Sequence, residues 1–397
     1  MKRYSFSALL ISALIGIVVC TAAFALVFFI IFGGKSERSR ATAKFSTIYE
    51  TIENNYIGDA DMQDVSDIAY AAMVEELDDR WSYYMTAEEY GMYKEYQSNS
   101  YTGIGISIAA SEKGSYMKVL SISEDSPAAR AGVLIGDLLT SIDGESLENK
   151  SPAKIKSMIS DRDGKEFTLG LIGSDGSSRT ALVSTEVVMT SAVKFQILDN
   201  GIGYVKIKNF EQDSGSGIIE AVDSLISQGA SGIIFDVRNN PGGKLSELLN
   251  ALDYLLPEGK MFISVDRDGN ESIHYSDTEF VEIPTAVLVN GNSYSAAEFF
   301  AKGLSEYGLA SIVGNNTTGK SRSQVNIVLS DGSAVHISTN RYLTPSGIDL
   351  AEEGGITPDV QVDMTDEDAV LLLAGLLDIA EDEQIQTAVR ILCDLKE

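Results

Sequence analysis

Residues 314–321, Gly-Asn-Asn-Thr-Thr-Gly-Lys-Ser, match the G-x-x-x-x-G-K-[ST] spacing of a phosphate-binding loop at every position. Such a loop needs a helix directly after it, because the free N–H groups of the helix N-terminus hold the phosphates. Here the chain continues Ser-Arg-Ser-Gln-Val-Asn-Ile-Val-Leu-Ser-Asp-Gly, a β-branched run closing on an Asp-Gly turn, which predicts a strand. The apolar run Ile233-Ile234-Phe235-Asp236 also lies upstream of the loop, where a nucleotide fold would place it downstream. The string therefore has to lead into a strand, and Lys320 needs another role. Ser295, in Asn292-Ser293-Tyr294-Ser295-Ala296-Ala297-Glu298, stands just before a predicted helix and offers one.

With 397 residues the chain has room for two or three domains. A formal charge of −28 argues against nucleic acid as a partner, since phosphate binding requires clustered Lys and Arg. The two cysteines, Cys20 and Cys393, form neither a disulfide framework nor a metal site, and no metal or cofactor is expected. Any Ser-His chemistry would have to use His274 or His336, the only histidines.

From Ala8 to Phe32 there is no charged residue. A helix of that length spans roughly 37 Å, more than the ~30 Å hydrocarbon core of a bilayer. The stretch is too long and lacks the small-x-small exit of a cleaved signal peptide, so it reads as an uncleaved single-pass anchor. Flanking charges (Lys2 and Arg3 before; Lys35, Arg38, Arg40 and Lys44 after) leave the orientation open.

After the anchor, residues 34–98 read as an acidic helical region, with Phe45, Ile48, Tyr49 and Ile52 at helical spacing, then Ile68, Ala72, Met73 and Leu77. Tyr83, Tyr84, Tyr90, Tyr93 and Tyr96 read as packing residues. From residue 99 the pattern turns β-rich, with two helices capped by Ser126-Pro127 and Ser151-Pro152. Residues 186–365 alternate apolar strands (Gly203–Ile207, Gly232–Val237, Thr285–Val289, Ala310–Val313) with helices, the signature of an α/β core. A helical tail follows, with Val370, Leu371, Leu373 and Leu376, then Ile385, Ala388 and Ile391.

A serine at a helix N-terminus lies where N–H groups favour negative charge on a nearby oxygen, but it needs a base to become a nucleophile. A lysine serves as that base once burial makes it neutral near operating pH. Lys320 sits in a Gly-flanked loop leading into an apolar strand, and Gln324 could hold its amine by hydrogen bonding without restoring charge. Asp236-Val237-Arg238-Asn239-Asn240-Pro241-Gly242-Gly243 leaves a buried strand in a turn whose N–H groups can serve an oxyanion.

Two resemblances follow. Tyr101-Thr102-Gly103-Ile104-Gly105-Ile106, Ser126-Pro127-Ala128-Ala129-Arg130-Ala131-Gly132-Val133, Gly136–Gly144 and the late helix occur in the order of a PDZ domain. Such a domain receives a free carboxylate on converging N–H groups and an extended peptide at a sheet edge, which implies peptide contacts at Tyr101, Gly103, Ile104 and Gly105. As a whole, residues 45–395 resemble the carboxyl-terminal processing (tail-specific) peptidases, Ser/Lys proteases with a PDZ domain. The family's D-L-R-x-N-P-G-G appears as Asp236–Gly243, its S-A-S-A-S-E as Ser293–Glu298, and its F-G-K-G-x-x-Q as Thr318–Gln324. Arg341-Tyr342-Leu343-Thr344-Pro345-Ser346-Gly347 and Gly355-Ile356-Thr357-Pro358-Asp359 match two further motifs. Departures are Thr318 for Phe, Ser321 for Gly and Ala297 for the third Ser; none removes a catalytic group.

The resemblance implies a multidomain α/β chain. Its parts are a cytoplasmic stub and membrane anchor (1–33), a helical cap region (34–98), a PDZ domain (99–185), a crotonase-like α/β peptidase core (186–365) and a C-terminal helical segment (366–397). It implies Ser295 as nucleophile, Lys320 as base, Gln324 as its support, and Gly242 or Gly243 with Ala296 as oxyanion donors. Substrates would be proteins or peptides with free C-termini, and the body would lie outside the cytoplasm; a homodimer is left open. The competing reading, a non-catalytic PDZ scaffold on a peptidase fold, is separated by whether Ser295 reacts with a serine-directed probe. A nucleotide-binding protein would show Mg²⁺-dependent ATP affinity.

Overall fold

The computed structural model describes residues 17–19, 21, 22, 37–110 and 115–394. The anchor expected at Ala8–Phe32 lies almost wholly outside these residues, and among them no helix is long and apolar enough to cross a membrane. Residues up to Met73 form one compact unit and those from Val74 another. Among the described residues, the first contains helix Glu37–Asn55 and most of helix Met62–Glu75. Phe45 stacks on Tyr70 at 5.7 Å, but Glu37–Asn55 buries no residue and Ile48, Ile68 and Met73 are exposed.

Within the second unit, a six-stranded sheet carries the core. Gly203–Ile207, Ile233–Asp236, Thr285–Val289, Ala310–Gly314 and Val360–Gln361 run parallel, with Val193–Ile197 antiparallel at one edge. The central strands Ile233–Asp236 and Thr285–Val289 are buried at every position because both faces are covered. Phe235, Val287 and Val289 face a cluster with helices Ser214–Ser227, Leu245–Leu255 and Ala296–Glu306, whereas Ile234, Ala286 and Leu288 meet Ile385, Ala388 and Leu392 of helix Glu383–Asp394. The tail is thus half of the core's cover. The preceding helix, Asp366–Ala374, behaves differently: Val370 and Leu373 are exposed, as is Leu376 just after it.

A second sheet lies over the serine helix. Gly259–Val265 pairs with Glu271–Ser276 and with the long strand Ala334–Leu343, which also takes Arg322–Val328 on its other side. The residues after Lys320 therefore form a strand, and no helix follows the Gly-Lys-Ser string. The region expected to be helical to residue 98 contains a strand, Tyr83–Met85, hydrogen-bonded to Ala334–His336. Its tyrosines had no helical period to betray this.

The remaining sheet, Ile106–Ala110, Met117–Ile122, Leu138–Ile142, Glu166–Ile172 and Ser178–Ser184 in spatial order, wraps its own core around Ile104, Val119, Leu139 and Leu169. A two-stranded ribbon, Ser100–Gly103 with Glu186–Met189, closes the ends of this domain.

Candidate active site

Strand Thr285–Val289 ends in a turn that is tied down before it reaches Ser295. The Ser293 hydroxyl donates to the Val237 carbonyl (2.7 Å), and the Tyr294 N–H donates to the Asn240 carbonyl (3.1 Å). The chain then has to swing into helix Ala296–Glu306 within one residue, which leaves Ser295 at φ 57°, ψ −125°. Ordinary capping serines in this chain look different: Ser126 (φ −75°) and Ser151 (φ −69°) are extended, and each side chain accepts the N–H three residues on. At Ser295 the corresponding N–H, of Glu298, goes to the main-chain carbonyl instead (2.8 Å). A non-glycine residue held in this region stores strain, typically about 1–3 kcal/mol, which surrounding structure must maintain. A strained strand-to-helix turn is also the arrangement that exposes a nucleophilic hydroxyl.

The group that maintains it is Glu298, fully buried one helical turn later. Its Oε2 accepts the N–H of Ser295 (2.9 Å) and the N–H of Lys320 (2.8 Å), while Oε1 accepts the Gly319 N–H (2.7 Å) and the Thr317 hydroxyl. One carboxylate thus locks the serine turn to the lysine loop. The S-x-x-E spacing of a capping box was present in the sequence, but it predicts only a bond back to the serine and not the one to Lys320.

Lys320 and Ser295 line one cavity of about 360 Å³. Burial is the main reason the lysine is lowered to about 8; Arg80 pushes the same way, and Asp79 and Glu298 oppose. The Lys320 Nζ lies 4.5 Å from the ring centre of Trp81 and 5.8 Å from that of Tyr294, whose rings are themselves 5.5 Å apart. Trp81 is held by its own N–H to Asp79 Oδ1 (3.2 Å), and the neighbouring Ser82 hydroxyl accepts the Ser338 N–H (3.0 Å). Reading the sequence gave no role to Trp81, since nothing in its local pattern points across 239 residues to a lysine.

Opposite the serine lies the Pro241-Gly242-Gly243 turn. It leaves a strand end fixed by charge: Asp236 pairs with Arg238 (2.7 Å) and Lys206 (3.0 Å), and Arg238 reaches Asp382 (2.8 Å) and Gln384 (2.9 Å) of the C-terminal segment. Burial alone would raise the Asp236 carboxyl, but Arg238 and Lys206 overcome it and hold it well below the usual range. Gly242 packs so close that a β-carbon there would stand 2.8 Å from Ser295 Cβ and 2.9 Å from the Ala296 nitrogen. The Gly242 N–H donates to Asn240 Oδ1 (2.8 Å). Gly243 and Ala296, which both line the cavity, have N–H groups with no partner among the described residues. Of the two glycines expected as oxyanion donors, Gly243 is the one whose N–H is free.

Gln324 also lines the cavity, but its amide donates to the Arg322 carbonyl (3.1 Å) and the Ser338 hydroxyl (2.9 Å), and no hydrogen bond joins it to Lys320. Lys320, Arg322 and Gln324 do all face the cavity, and the pairing irregularity beside Gln324 places its extra residue, Thr339, on the partner strand. His336 is present in the cavity wall, between Tyr83 (4.6 Å) and Tyr93 (5.6 Å), with Nδ1 2.6 Å from Asn326 Oδ1. Burial lowers it to about 4, so it is neutral and committed elsewhere. His274 lies on strand Glu271–Ser276.

A second cavity, of about 540 Å³, runs between edge strand Ile106–Ala110 and helix Pro152–Ser160, and Tyr101, Gly103, Ile104 and Gly105 all line it. The loop is rigid: the Ala128 N–H donates to the Ile104 carbonyl (2.9 Å) and the Ser123 N–H to the Gly105 carbonyl (2.8 Å). Gly105 (φ 82°) is required, because a β-carbon would meet Ser126 Cβ at 2.1 Å. The Ile104 and Gly105 N–H groups are unpartnered among the described residues.

Comparison with known proteins agrees with this architecture. Residues 201–362 match peptidase family S41, residues 118–172 a PDZ domain, and residues 33–89 the activating protease CtpB N-terminal domain. The carboxy-terminal processing protease CtpA of Bacillus subtilis is 29% identical over 338 residues, 84% of this chain and 72% of that protein. A probable CtpA-like serine protease of Staphylococcus aureus is 28% identical over 373 residues, covering 91% and 73%. The crystal structure of a putative S41 protease from Bacteroides fragilis shares the fold, with TM-score 0.55 at 14% identity over 82% of this chain and 90% of that one. The chain is a serine-type peptidase whose residues 201–362 match family S41 and whose residues 118–172 match a PDZ domain.

Proposed function

We infer that this peptidase cuts proteins near their C-termini with a Ser295/Lys320 dyad, after its PDZ domain has captured the substrate tail. The observation that carries the reading is the Glu298 carboxylate, which joins the Ser295 N–H and the Lys320 N–H on one oxygen while the Gly243 and Ala296 N–H groups remain free beside them. Neutral Lys320 takes the Ser295 Oγ proton as the oxygen attacks the substrate carbonyl. The oxyanion is received by the Gly243 and Ala296 N–H groups. Lys320 then returns the proton to the leaving amine, and water attacks the acyl-enzyme in a second pass of the same base. Gln324 acts on the Lys320 side of the cavity through the strand it braces, not by a direct bond.

The substrate tail adds to strand Ile106–Ala110, its carboxylate on the Ile104 and Gly105 N–H groups, with residues 99–185 as the PDZ domain and 186–365 as the peptidase core. The uncharged run Ala8–Phe32 anchors the body outside the cytoplasm, which protease added to intact cells tests: the body is digested in this reading and protected otherwise. The catalytic test is cleavage of an unstructured protein substrate followed by mass spectrometry of its new C-termini. Ser295→Ala and Lys320→Ala should each abolish cleavage with the fold retained; normal turnover by Lys320→Ala refutes the dyad.

A further inference from the structure

Glu211 is a buried acid that the mechanism above does not use. Phe210 lies in a parallel bridge against Gly243: its N–H donates to the Gly242 carbonyl (2.7 Å), and its carbonyl accepts the Lys244 N–H (2.7 Å). That pairing puts Glu211 one residue from the free Gly243 N–H, in the wall of the cavity shared by Ser295 and Lys320. Glu211 is only 4% exposed, yet its Oε2 is buried with no hydrogen-bond partner. A buried carboxylate oxygen left unmatched is costly, and charged groups in such places are normally paired. Lys244 is the cation acting on it, but the Lys244 ammonium donates to the Gln97 carbonyl (3.0 Å). The same cavity offers an apolar surface from Leu245, Leu248, Phe262 and Phe299.

We propose that Glu211 closes a subsite for a lysine or arginine side chain of the substrate, next to the bond being cut. The aliphatic stem lies along the apolar wall and the cationic head supplies the partner that Oε2 lacks, the division of labour by which long basic side chains enter apolar sites. The proposal rests on Ser295 being the nucleophile in this cavity. Burial pushes the Glu211 carboxyl up to about 7; Lys244 opposes, Glu247 adds to it, and Tyr93 and Tyr96 also face the group. A cation therefore binds better as pH rises through 7 and the carboxyl ionises.

The test uses the full chain and peptides sharing one C-terminal tail, with lysine or uncharged norleucine placed in turn at each position from two before to two after the cut. At one position the wild type should favour lysine by about tenfold or more in kcat/KM, as expected when a buried charge is left unpaired in the competitor. That ratio should grow from pH 6 to pH 8. In Glu211→Gln it should fall to near one and lose its pH dependence. No preference at any position in the wild type, or a preference that Glu211→Gln retains, overturns the proposal. A uniform drop with the ratio unchanged marks a structural role and overturns it too. Absence of any Ser295-dependent cleavage instead overturns the catalytic reading, and this inference with it.

Discussion

Replacing Glu298 by glutamine tests whether one carboxylate holds the site together. The native group accepts four hydrogen bonds, two on each oxygen. An amide keeps one oxygen and turns an NH2 toward the other pair of donors, so either Ser295 and Lys320 or Thr317 and Gly319 lose their acceptor. Two buried donors left unmatched cost about 1–3 kcal/mol each, or roughly 2–6 kcal/mol together. That is within the ~5–15 kcal/mol of a folded domain, so Glu298→Gln should fold, whereas Glu298→Ala, which strands all four donors, should not reliably do so. The readout is built in, because Trp81 is the only tryptophan and lies over Lys320. Urea unfolding followed by its fluorescence should show a lower midpoint at unchanged slope. Loosening the serine and lysine loops by an ångström should lower kcat/KM about 10²-fold. Glu298 also raises the Lys320 pKa, so the pH profile of the residual activity should shift to lower pH. A Glu298→Gln protein with wild-type stability and kcat/KM within about threefold of wild type would refute the reasoning, since tenfold is only about 1.4 kcal/mol.

Three further outcomes follow from the same geometry. Because burial lowers Lys320 to about 8 and the base must be neutral, kcat/KM should rise with pH and level off above that value; at pH 6 only about 1% of the lysine is neutral, one factor of ten per pH unit. His336→Gln should leave that ascending limb in place, and a limb that disappears would implicate the histidine. Gly243→Ala should abolish turnover, since its β-carbon would meet the Phe210 carbonyl at 2.3 Å and displace the oxyanion turn; measurable activity would move the oxyanion site elsewhere. Gly105→Ala should abolish binding of a C-terminal peptide, measured by fluorescence anisotropy, while a peptide amidated at its C-terminus should bind neither protein.

What the sequence made legible was whatever depends on short-range pattern. The apolar runs Ile233–Asp236 and Thr285–Val289 had to be buried on both faces, and the Ser126-Pro127 and Ser151-Pro152 caps announced their helices. Ser295 and Lys320 could be paired because their motifs stand close to a strand end and a strand start. The rest depended on contacts that sequence spacing does not encode. Tyr83–Met85 is a strand only because Ala334–His336 offers it a free edge, and Trp81 arrives at Lys320 as a consequence. Gln324 was expected to bond to Lys320, but its amide is taken by the Arg322 carbonyl and the Ser338 hydroxyl. Gly242 and Gly243 look equivalent in sequence, but the Asn240 side chain takes the Gly242 N–H and only Gly243 lines the cavity.

The Ser295/Lys320 assignment is tested most directly by the rate at which a fluorophosphonate probe adds to the intact protein, followed by mass spectrometry as a function of pH. The account predicts a single adduct, on Ser295, forming faster as pH rises and levelling off above about 8, where Lys320 is neutral. Ser295→Ala should take no adduct, and Lys320→Ala should label far more slowly and without that midpoint. Labelling of Lys320→Ala at the wild-type rate, or an adduct on another residue of the wild type, would contradict it.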